Sequence, residues 1–211
     1  MAQGRGVSKG QGVDCPPCPV SARWWERLAY ILGIGLGSGL PRVAPGTWGS
    51  LAAFVLACPL LLYPQGFWGL TIMGMAVGAW VCGKTSQLMG GHDNAHIVFD
   101  EWVGMWIAML PLTMCAHVAV SLPEGGGFHN EDWWGQMLWL MMQVSFEKGM
   151  WMQGGIAGGF LLLPFVLFRL FDVLKPFPIG WADRRVGGGL GILLDDVLAG
   201  VMAAVLYSCW R

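Results

Sequence analysis

Five acidic side chains stand next to stretches of the chain that carry no charge. They are Asp100, Glu101, Asp172, Asp195 and Asp196. The first pair precedes the uncharged stretch 102–122, the single aspartate follows the uncharged run 149–168, and the last pair precedes the apolar run 197–210. Because a carboxylate beside hydrocarbon is unfavourable unless it is paired, hydrated or bound to a cation, this placement indicates a functional site. Three acidic clusters on three hydrophobic elements predict one shared site.

Two basic residues near Asp172 are candidates for binding phosphate. Arg169 and Asp172 are three residues apart and share a helix face, with Lys175 three further along if the helical turn persists. Pro176 and Pro178 are predicted to end that helix. Arg169 and Lys175 supply the positive charge that phosphate binding requires. A solvated basic rim at a membrane face is the alternative interpretation of the two cations.

Glycines and hydroxyls supply further candidate phosphate ligands. Gly188 and Gly189 belong to a glycine-rich run, in which backbone N–H groups can approach a ligand closely. In the segment 41–50, Thr47 or Ser50 is predicted to N-cap a helix, and the free N–H groups at a helix amino terminus suit a phosphate. An ordinary capped helix start is the alternative for this segment.

The acidic and the phosphate-binding features conflict unless a divalent cation lies between them. Mg²⁺ takes oxygen ligands, commonly one or two carboxylates together with phosphate and water. Neighbouring helical residues point about 100° apart, so Asp100 and Glu101 cannot both be simple ligands at one point. One is expected to bind the metal while the other orients a group or accepts a proton; a pair stabilising a helix amino terminus is the alternative. Asp93 and His96 are either further ligands or members of a solvated loop.

The composition predicts an all-α integral membrane protein. Hydrophobic residues make up 55% of the chain and charged residues 12%, whereas a soluble domain carries about a quarter charged residues. The apolar stretches predict about five spans, near 48–63, 67–83, 102–122, 150–170 and 193–209. The net charge of -1 gives no indication of nucleic-acid binding.

Basic residues set the predicted orientation. They lie before the first span, at the start of the 84–100 loop and around the 172–192 loop, which the positive-inside rule places in the cytoplasm, with 123–149 in the periplasm. All three acidic clusters then share one membrane face. Residues 28–40 are too short and glycine-rich to span and predict a cytoplasmic-side half-helix or re-entrant segment. Residues 129–146 predict an interfacial amphipathic helix or, almost equally, a loop.

The first 22 residues are predicted to form a disordered tail. Cys15 and Cys18 in this tail have the spacing of a zinc or redox motif, but a single pair is weak support for either. No apolar core with a cleavage site follows a basic start, so no secretory signal peptide is expected.

Several short motifs occur together between residues 30 and 207. They are Pro45-Gly46-Thr47 with Gly49-Ser50, Ile97-Val98 with Asp100-Glu101 and Gly104, Arg169 with Asp172 and Lys175-Pro176 with Pro178-Ile179, and Gly188-Gly189 with Gly191-Ile192, Asp195-Asp196 and Ala199-Gly200. In this order they resemble the phosphatidylglycerophosphatase A family. The resemblance implies a membrane domain over 23–211 that hydrolyses the terminal phosphate of phosphatidylglycerophosphate in an Mg²⁺-dependent reaction. The product would be phosphatidylglycerol, made at the bacterial inner membrane by an active site that faces the cytoplasm.

The resemblance also implies a division of roles within the site. The five carboxylates would surround Mg²⁺, and the lipid phosphate would contact Thr47, Ser50, Arg169, Lys175, Gly188 and Gly189. Gly187 stands where the family pattern has His, which puts a histidine acid/base role at that point in doubt. The stretch 123–150 is interpreted as a periplasmic insertion that does not touch the site.

The sequence leaves alternatives open for the nucleophile and for the functional class. Either water or a carboxylate could attack the phosphorus. A transporter or channel would use the acidic cluster as a cation path, and it predicts charges near the bilayer midplane and an inverted repeat. A lipid-binding scaffold would need phosphate contacts but no metal.

Overall fold

The computed structural model describes residues 15–90, 94–120 and 157–210, which contain helices and no strand. The helices are α1 (Trp24–Gly33), α2 (Pro45–Ala57), α3 (Pro64–Leu88), α4 (Phe99–Val120), α5 (Ala157–Leu174), α6 (Ile179–Arg185) and α7 (Gly188–Trp210). Two short 3₁₀ turns, Gly35–Gly37 and Cys58–Leu62, follow α1 and α2. The predicted all-α class is confirmed for this part of the chain.

Helix α4 lies at the centre of the bundle. It packs against α2, α3, α5 and α7. Val103 and Met105 point in nearly opposite directions from the helix axis, and both are fully buried. A helix that is apolar all round is a core helix. Asp100 and Glu101, in the first turn of α4, are therefore packed between other helices.

Two glycines bring α4 and α7 into backbone contact. A Cβ atom on Gly104 would lie 2.6 Å from the carbonyl oxygen of Asp196, and one on Gly200 would collide with the carbonyl oxygen of Gly104. Small residues of this kind allow two helices to approach closely. Each glycine lies four residues after an aspartate, Asp100 on α4 and Asp196 on α7. The crossing therefore holds the two aspartates at the same level of the bundle.

Helices α3 and α7 are each long and apolar enough to cross a membrane. Length and composition are weak support by themselves, because the core helix of a soluble protein shares them. Both helices also expose large apolar side chains, among them Ile72 and Met73 on α3 and Val201 and Val205 on α7. Exposed apolar surface is typical of a membrane or partner contact. The other predicted spans coincide with parts of α2, α4 and α5, and the number of five stays a prediction.

The segment 28–40, a predicted half-helix, is divided between a helix and a turn. Helix α1 already begins at Trp24 and ends at Gly33. The next turn contains three consecutive residues, 35–37, with positive φ, a conformation that cannot continue a right-handed helix. The amide of Val98 donates to the carbonyl oxygen of Gly33 at 2.8 Å. This hydrogen bond ties the turn to the segment that leads into α4.

Residues 15–22, which belong to the predicted disordered tail, lie against α1. The hydroxyl of Tyr30 donates to the carbonyl oxygen of Pro16 at 2.8 Å. The guanidinium of Arg27 donates to the carbonyl oxygen of Val20, also at 2.8 Å. These contacts fix the chain immediately before the first helix.

Several sequence predictions fall on residues outside the described ranges. They concern the tail 1–14, Asp93, the insertion 123–150 and its interfacial segment 129–146. They stay predictions.

Candidate active site

Arg169 joins three helices at one end of the bundle. It lies on α5, where its Nη1 atom is 2.6 Å from Oδ2 of Asp172. The same nitrogen is 3.6 Å from Oε1 of Glu101 on α4. Toward α2, the guanidinium donates to Oγ of Ser50 at 3.3 Å and to Oγ1 of Thr47 at 3.4 Å. Arg169 and Asp172 share a helix face, as their spacing predicts, and the guanidinium also contacts both candidate hydroxyl ligands.

The carboxylate of Glu101 lies directly against the first turns of α2. A Cβ atom on Gly46 would collide with Oε1 of Glu101, and one on Gly49 would lie 3.0 Å from Oε2. The two glycines therefore leave the space that the carboxylate fills. Negative charge is favourable at a helix amino terminus. The amino terminus of α2, which the sequence predicts to bind phosphate, is covered by the side chain of Glu101 in the structure.

The predicted N-cap role of Thr47 or Ser50 is wrong. Helix α2 begins at Pro45, and the residue before it, Ala44, has a φ of 49° and makes no side-chain cap. Proline is favoured at the first helical position because its fixed φ suits the helix and its missing N–H leaves no donor unpaired. Thr47 and Ser50 therefore lie inside the helix, where their hydroxyls face the guanidinium on α5.

Asp100 and Glu101 have different neighbours, as their adjacent positions predict. Asp100 is 7% exposed, and its Oδ1 atom accepts the amide N–H of Glu101 at 3.0 Å. It lies next to Cys82 of α3 and Asp196 of α7. Glu101 points the other way, toward α2 and α5. The two carboxylates thus connect α4 to different sides of the bundle.

Asp196 adds a carboxylate from α7. Its side chain is 4% exposed and lies within hydrogen-bonding reach of Asp172 on α5. Oδ1 of Asp196 and Oε2 of Glu101 are buried and have no hydrogen-bond partner among the described residues. Buried carboxylate oxygens require a donor or a cation. Two acceptor atoms are therefore available to a ligand at the meeting point of α4, α5 and α7.

A second ion pair, between Lys175 and Asp195, borders this cluster. The ammonium Nζ lies 2.7 Å from Oδ2 of Asp195. Helix α5 ends at Leu174, and Lys175 has a φ of 42°, in the left-handed region that terminates helices. The helical turn therefore does not persist, and Lys175 does not continue the face that Arg169 and Asp172 share. It reaches α7 instead.

Gly188 and Gly189 have different surroundings. A Cβ atom on Gly189 would collide with the carbonyl oxygen of Ala79 on α3, so this glycine permits the close packing of α7 on α3. Gly188 has a φ of 72° and nothing within 4 Å of an added Cβ. Helix packing therefore accounts for Gly189, whereas Gly188 keeps an open backbone.

Two further contacts connect α1 and the turn after it to other parts of the bundle. Nδ1 of His96 lies 2.6 Å from the carbonyl oxygen of Gly39, so the side chain joins the chain before α4 to the turn after α1. Nζ of Lys84 lies 2.9 Å from Oε1 of Glu26, and this hydrogen bond lowers the pKa of Glu26. The first turn of α1 is thereby connected to α3.

The donor set at this site fits a divalent cation that is shared with a ligand. No three Asp, Glu, His or Cys side chains of the described ranges are grouped so that they could hold a metal ion by themselves. Mg²⁺ does not require three, because it is commonly bound by one or two carboxylates together with phosphate oxygens and water. The two buried oxygens of Glu101 and Asp196 without hydrogen-bond partners meet that requirement.

Four glycines have a structural role that the sequence did not predict. They are Gly46 and Gly49, which make room for Glu101, and Gly104 and Gly200, which bring α4 onto α7. A signal for the second pair is present in the sequence, because each glycine follows an acidic residue by four positions, one helical turn. No local pattern indicates the first pair, since its partner lies on another helix.

The fold and the site define a class of protein: an apolar helical bundle with carboxylates, hydroxyls and a guanidinium gathered at one end. The chain belongs to the phosphatidylglycerophosphatase A family, whose sequence model matches residues 31–211. The family inferred from the motifs is confirmed, and with it the enzyme class, a phosphatase.

Curated relatives are similar over most of their length. Phosphatidylglycerophosphatase A of Escherichia coli (strain K12) is 36% identical over 180 residues, which cover 84% of this chain and 81% of that protein. The protein of the same name from Haemophilus influenzae is 35% identical over 179 residues, 84% of this chain and 85% of that protein. A Bacteroides thetaiotaomicron protein, provisionally named a phosphatidylinositol-3-phosphatase, is 29% identical over 192 residues, 87% of this chain and 94% of that protein. No solved structure matches the chain.

Proposed function

We propose that this protein hydrolyses the terminal phosphate monoester of phosphatidylglycerophosphate in an Mg²⁺-dependent reaction at the cytoplasmic face of the bacterial inner membrane. The observation that carries the proposal is the pair of buried oxygens without hydrogen-bond partners, on Glu101 and Asp196, beside the Arg169 guanidinium. A divalent cation supplies the positive charge that the two carboxylate oxygens lack, and a phosphate monoester supplies acceptor oxygens for the guanidinium.

Arg169 binds the phosphoryl oxygens. Asp172, at 2.6 Å, holds the guanidinium in place, and the hydroxyls of Thr47 and Ser50 set its orientation toward α2. A planar guanidinium can bind two phosphate oxygens at once, which fixes both the position and the rotation of the group. Lys175 keeps a second positive charge at the edge of the site through its contact with Asp195.

Glu101 and Asp196 would hold Mg²⁺, which narrows the expected set of five carboxylates to two direct ligands. The bound ion would offset the charge on the phosphoryl oxygens and lower the pKa of a water molecule. Asp100 positions Glu101 by accepting its amide N–H. Asp172 and Asp195 act indirectly, because Asp172 holds the side chain of Arg169 and Asp195 holds that of Lys175.

The reaction exchanges one phosphorus–oxygen bond for another. A water oxygen forms a bond to phosphorus, and the bond between phosphorus and the glycerol oxygen breaks. The glycerol oxygen leaves as an alcohol after gaining a proton, and inorganic phosphate is the second product. The burial of Asp100 and Asp196 keeps bulk water away from the inner side of the cluster.

The placement of the charges supports an enzyme at the membrane surface over a transporter. The amino-terminal turns of α4 and α7 and the carboxyl-terminal turn of α5 meet at one end of the bundle, where Arg169 and Lys175 also lie. Basic residues at this end favour a cytoplasmic location. A cation path would instead need charges along the middle of the helices.

Phosphate release by the purified protein tests the proposal. Phosphatidylglycerophosphate in detergent micelles, with Mg²⁺ and then with a chelator in excess, should show turnover only with the metal. Phosphatidylinositol 3-phosphate is tested as a second substrate, because the Bacteroides relative is named for activity on this lipid. We expect its turnover to be much lower. Phosphate release that continues at full rate in chelator would refute the metal requirement.

A matched pair of variants separates the site from the rest of the protein. Glu101→Gln keeps the shape of the side chain but removes its charge, and we expect a loss of about 100-fold or more in kcat/KM. Glu26→Gln is the control, since Glu26 pairs with Lys84 on the side of α1. Equal activity of the two variants would contradict the assignment.

A further inference from the structure

An apolar groove of about 480 Å³ lies beside the site, between α2, α3 and the first two turns of α4. Its volume is within the range of roughly 300–1,000 Å³ that is usual for ligand pockets. The walls are hydrocarbon and aromatic, and Leu56 and Met73 form part of its exposed rim. A cavity with such walls does not attract water, so an occupant that matches it is apolar.

The groove is continuous with the site through α4. Phe99 and Trp102 line the groove, and they flank Asp100 and Glu101 in the sequence. Trp106 lines it one turn further along. At a rise of 1.5 Å per residue, Trp106 lies about 9 Å along the helix from Asp100. The phosphate site, Trp106 and the rest of the groove thus follow one another along α4. The head group, the ester linkages and the acyl chains of a phospholipid follow one another in the same order.

Trp106 also offers a polar atom at that depth. Its Nε1 atom is buried and has no hydrogen-bond partner among the described residues, whereas Nε1 of the neighbouring Trp102 donates to Oγ of Ser38 at 3.2 Å. Buried indole N–H groups usually have an acceptor. An ester carbonyl is the acceptor that an acyl chain would bring.

We propose that this groove binds one acyl chain of the lipid substrate and that the indole N–H of Trp106 donates to the ester carbonyl of that chain. This inference rests on the proposed lipid phosphatase function, which it deepens. The groove contributes selectivity for the lipid and its position, and the phosphate site performs the chemistry. When two substrates differ by one methylene in an apolar pocket, the ratio of their kcat/KM values changes by about tenfold or more.

Groove-filling variants with matched controls test the proposal. Leu56→Trp and Met73→Trp place an indole at the rim of the groove, whereas Val55→Trp and Ile72→Trp place it on neighbouring positions that do not line the groove. The exposed fractions are similar, 50% and 56% on α2 and 61% and 57% on α3. Each protein is assayed on the diacyl lipid and on its deacylated, water-soluble head group.

We expect the groove variants to lose about tenfold or more in kcat/KM on the diacyl lipid, with unchanged turnover of the deacylated head group. The controls should stay within about twofold of the parent on both substrates. Equal losses on both substrates, or no loss on either, would overturn the groove assignment while leaving the phosphatase function intact. Absence of phosphate release by the parent protein from either substrate would refute the proposed function itself.

The tryptophan contact has its own test. Trp106→Phe removes the N–H group, so a parent preference for ester-linked over ether-linked lipid, about threefold or more for one hydrogen bond, should disappear in the variant. A parent protein that shows no such preference would remove Trp106 from the proposal.

Photocrosslinking provides a readout that does not depend on turnover. A phosphatidylglycerol with a diazirine in one acyl chain should label peptides from α2, α3 and α4, and labelling confined to helices that do not line the groove would overturn the groove assignment.

Discussion

Arg169 and Glu101 lie 3.6 Å apart, on α5 and α4, and the same guanidinium is closer still to Asp172. One cation thus serves two carboxylates, and the cluster around it keeps an excess of negative charge. A phosphate alone would be repelled by this excess. The contact therefore supports the proposal that a divalent cation binds together with the phosphate.

We expect Arg169→Lys to lose most of the activity. A lysine ammonium keeps the charge but cannot contact Asp172, Thr47 and a phosphate in one fixed plane. The expected loss in kcat/KM is about 10-fold to 100-fold, measured as phosphate release at saturating Mg²⁺. Arg185→Lys is the control, because Arg185 stacks on Trp181 at the surface of α6. Parental activity of the Arg169 variant would show that only charge is needed.

Gly104→Ala should destabilise the protein and reduce its activity. The added methyl group would lie 2.6 Å from the carbonyl oxygen of Asp196, so α7 must move away from α4. Overpacking of this kind costs about 1–3 kcal/mol. Gly69→Ala on α3 is the control, since nothing lies within 4 Å of its added Cβ; we expect it to be neutral or slightly stabilising. Thermal unfolding in detergent measures both, and equal midpoints would contradict the close crossing.

Replacement of Cys15 and Cys18 together by Ser should change neither activity nor metal content. Both thiols are free in the structure, and Cys15 lies 3.5 Å from the hydroxyl of Tyr30 rather than in the acidic cluster. Elemental analysis and the phosphate assay check this expectation. Loss of bound zinc or of turnover would show that the pair forms a functional site.

The end of the bundle that carries the site should face the cytoplasm. Single cysteines at Ala95 and Gly187, which are exposed at that end, and at Gly126 in the predicted periplasmic stretch can be introduced after replacement of the native cysteines. In intact spheroplasts, a membrane-impermeant thiol reagent should label only position 126, and the other two should react after lysis. Labelling of position 95 or 187 from outside would contradict the orientation.

Local patterns predicted the contacts within single helices but not those between them. The spacing of Arg169 and Asp172 was sufficient to predict that they share a helix face, where they form an ion pair. The approach of Arg169 to Thr47 and Ser50 depends on how α5 packs against α2, and no periodicity encodes that contact. The predicted N-caps failed because Pro45 begins the helix earlier, and the face of Arg169 stops at Leu174 because Lys175 adopts a left-handed conformation.

The division of the site among α2, α4, α5 and α7 has a consequence during biosynthesis. A nascent chain that ends before residue 157 contains Glu101 and both hydroxyls but no Arg169, and the remaining part of the chain contains the guanidinium with Asp172 but without these three partners. Neither portion can bind the phosphate and the cation together. We therefore expect hydrolysis only after the last helix has joined the bundle, so that the appearance of activity would mark the completion of folding.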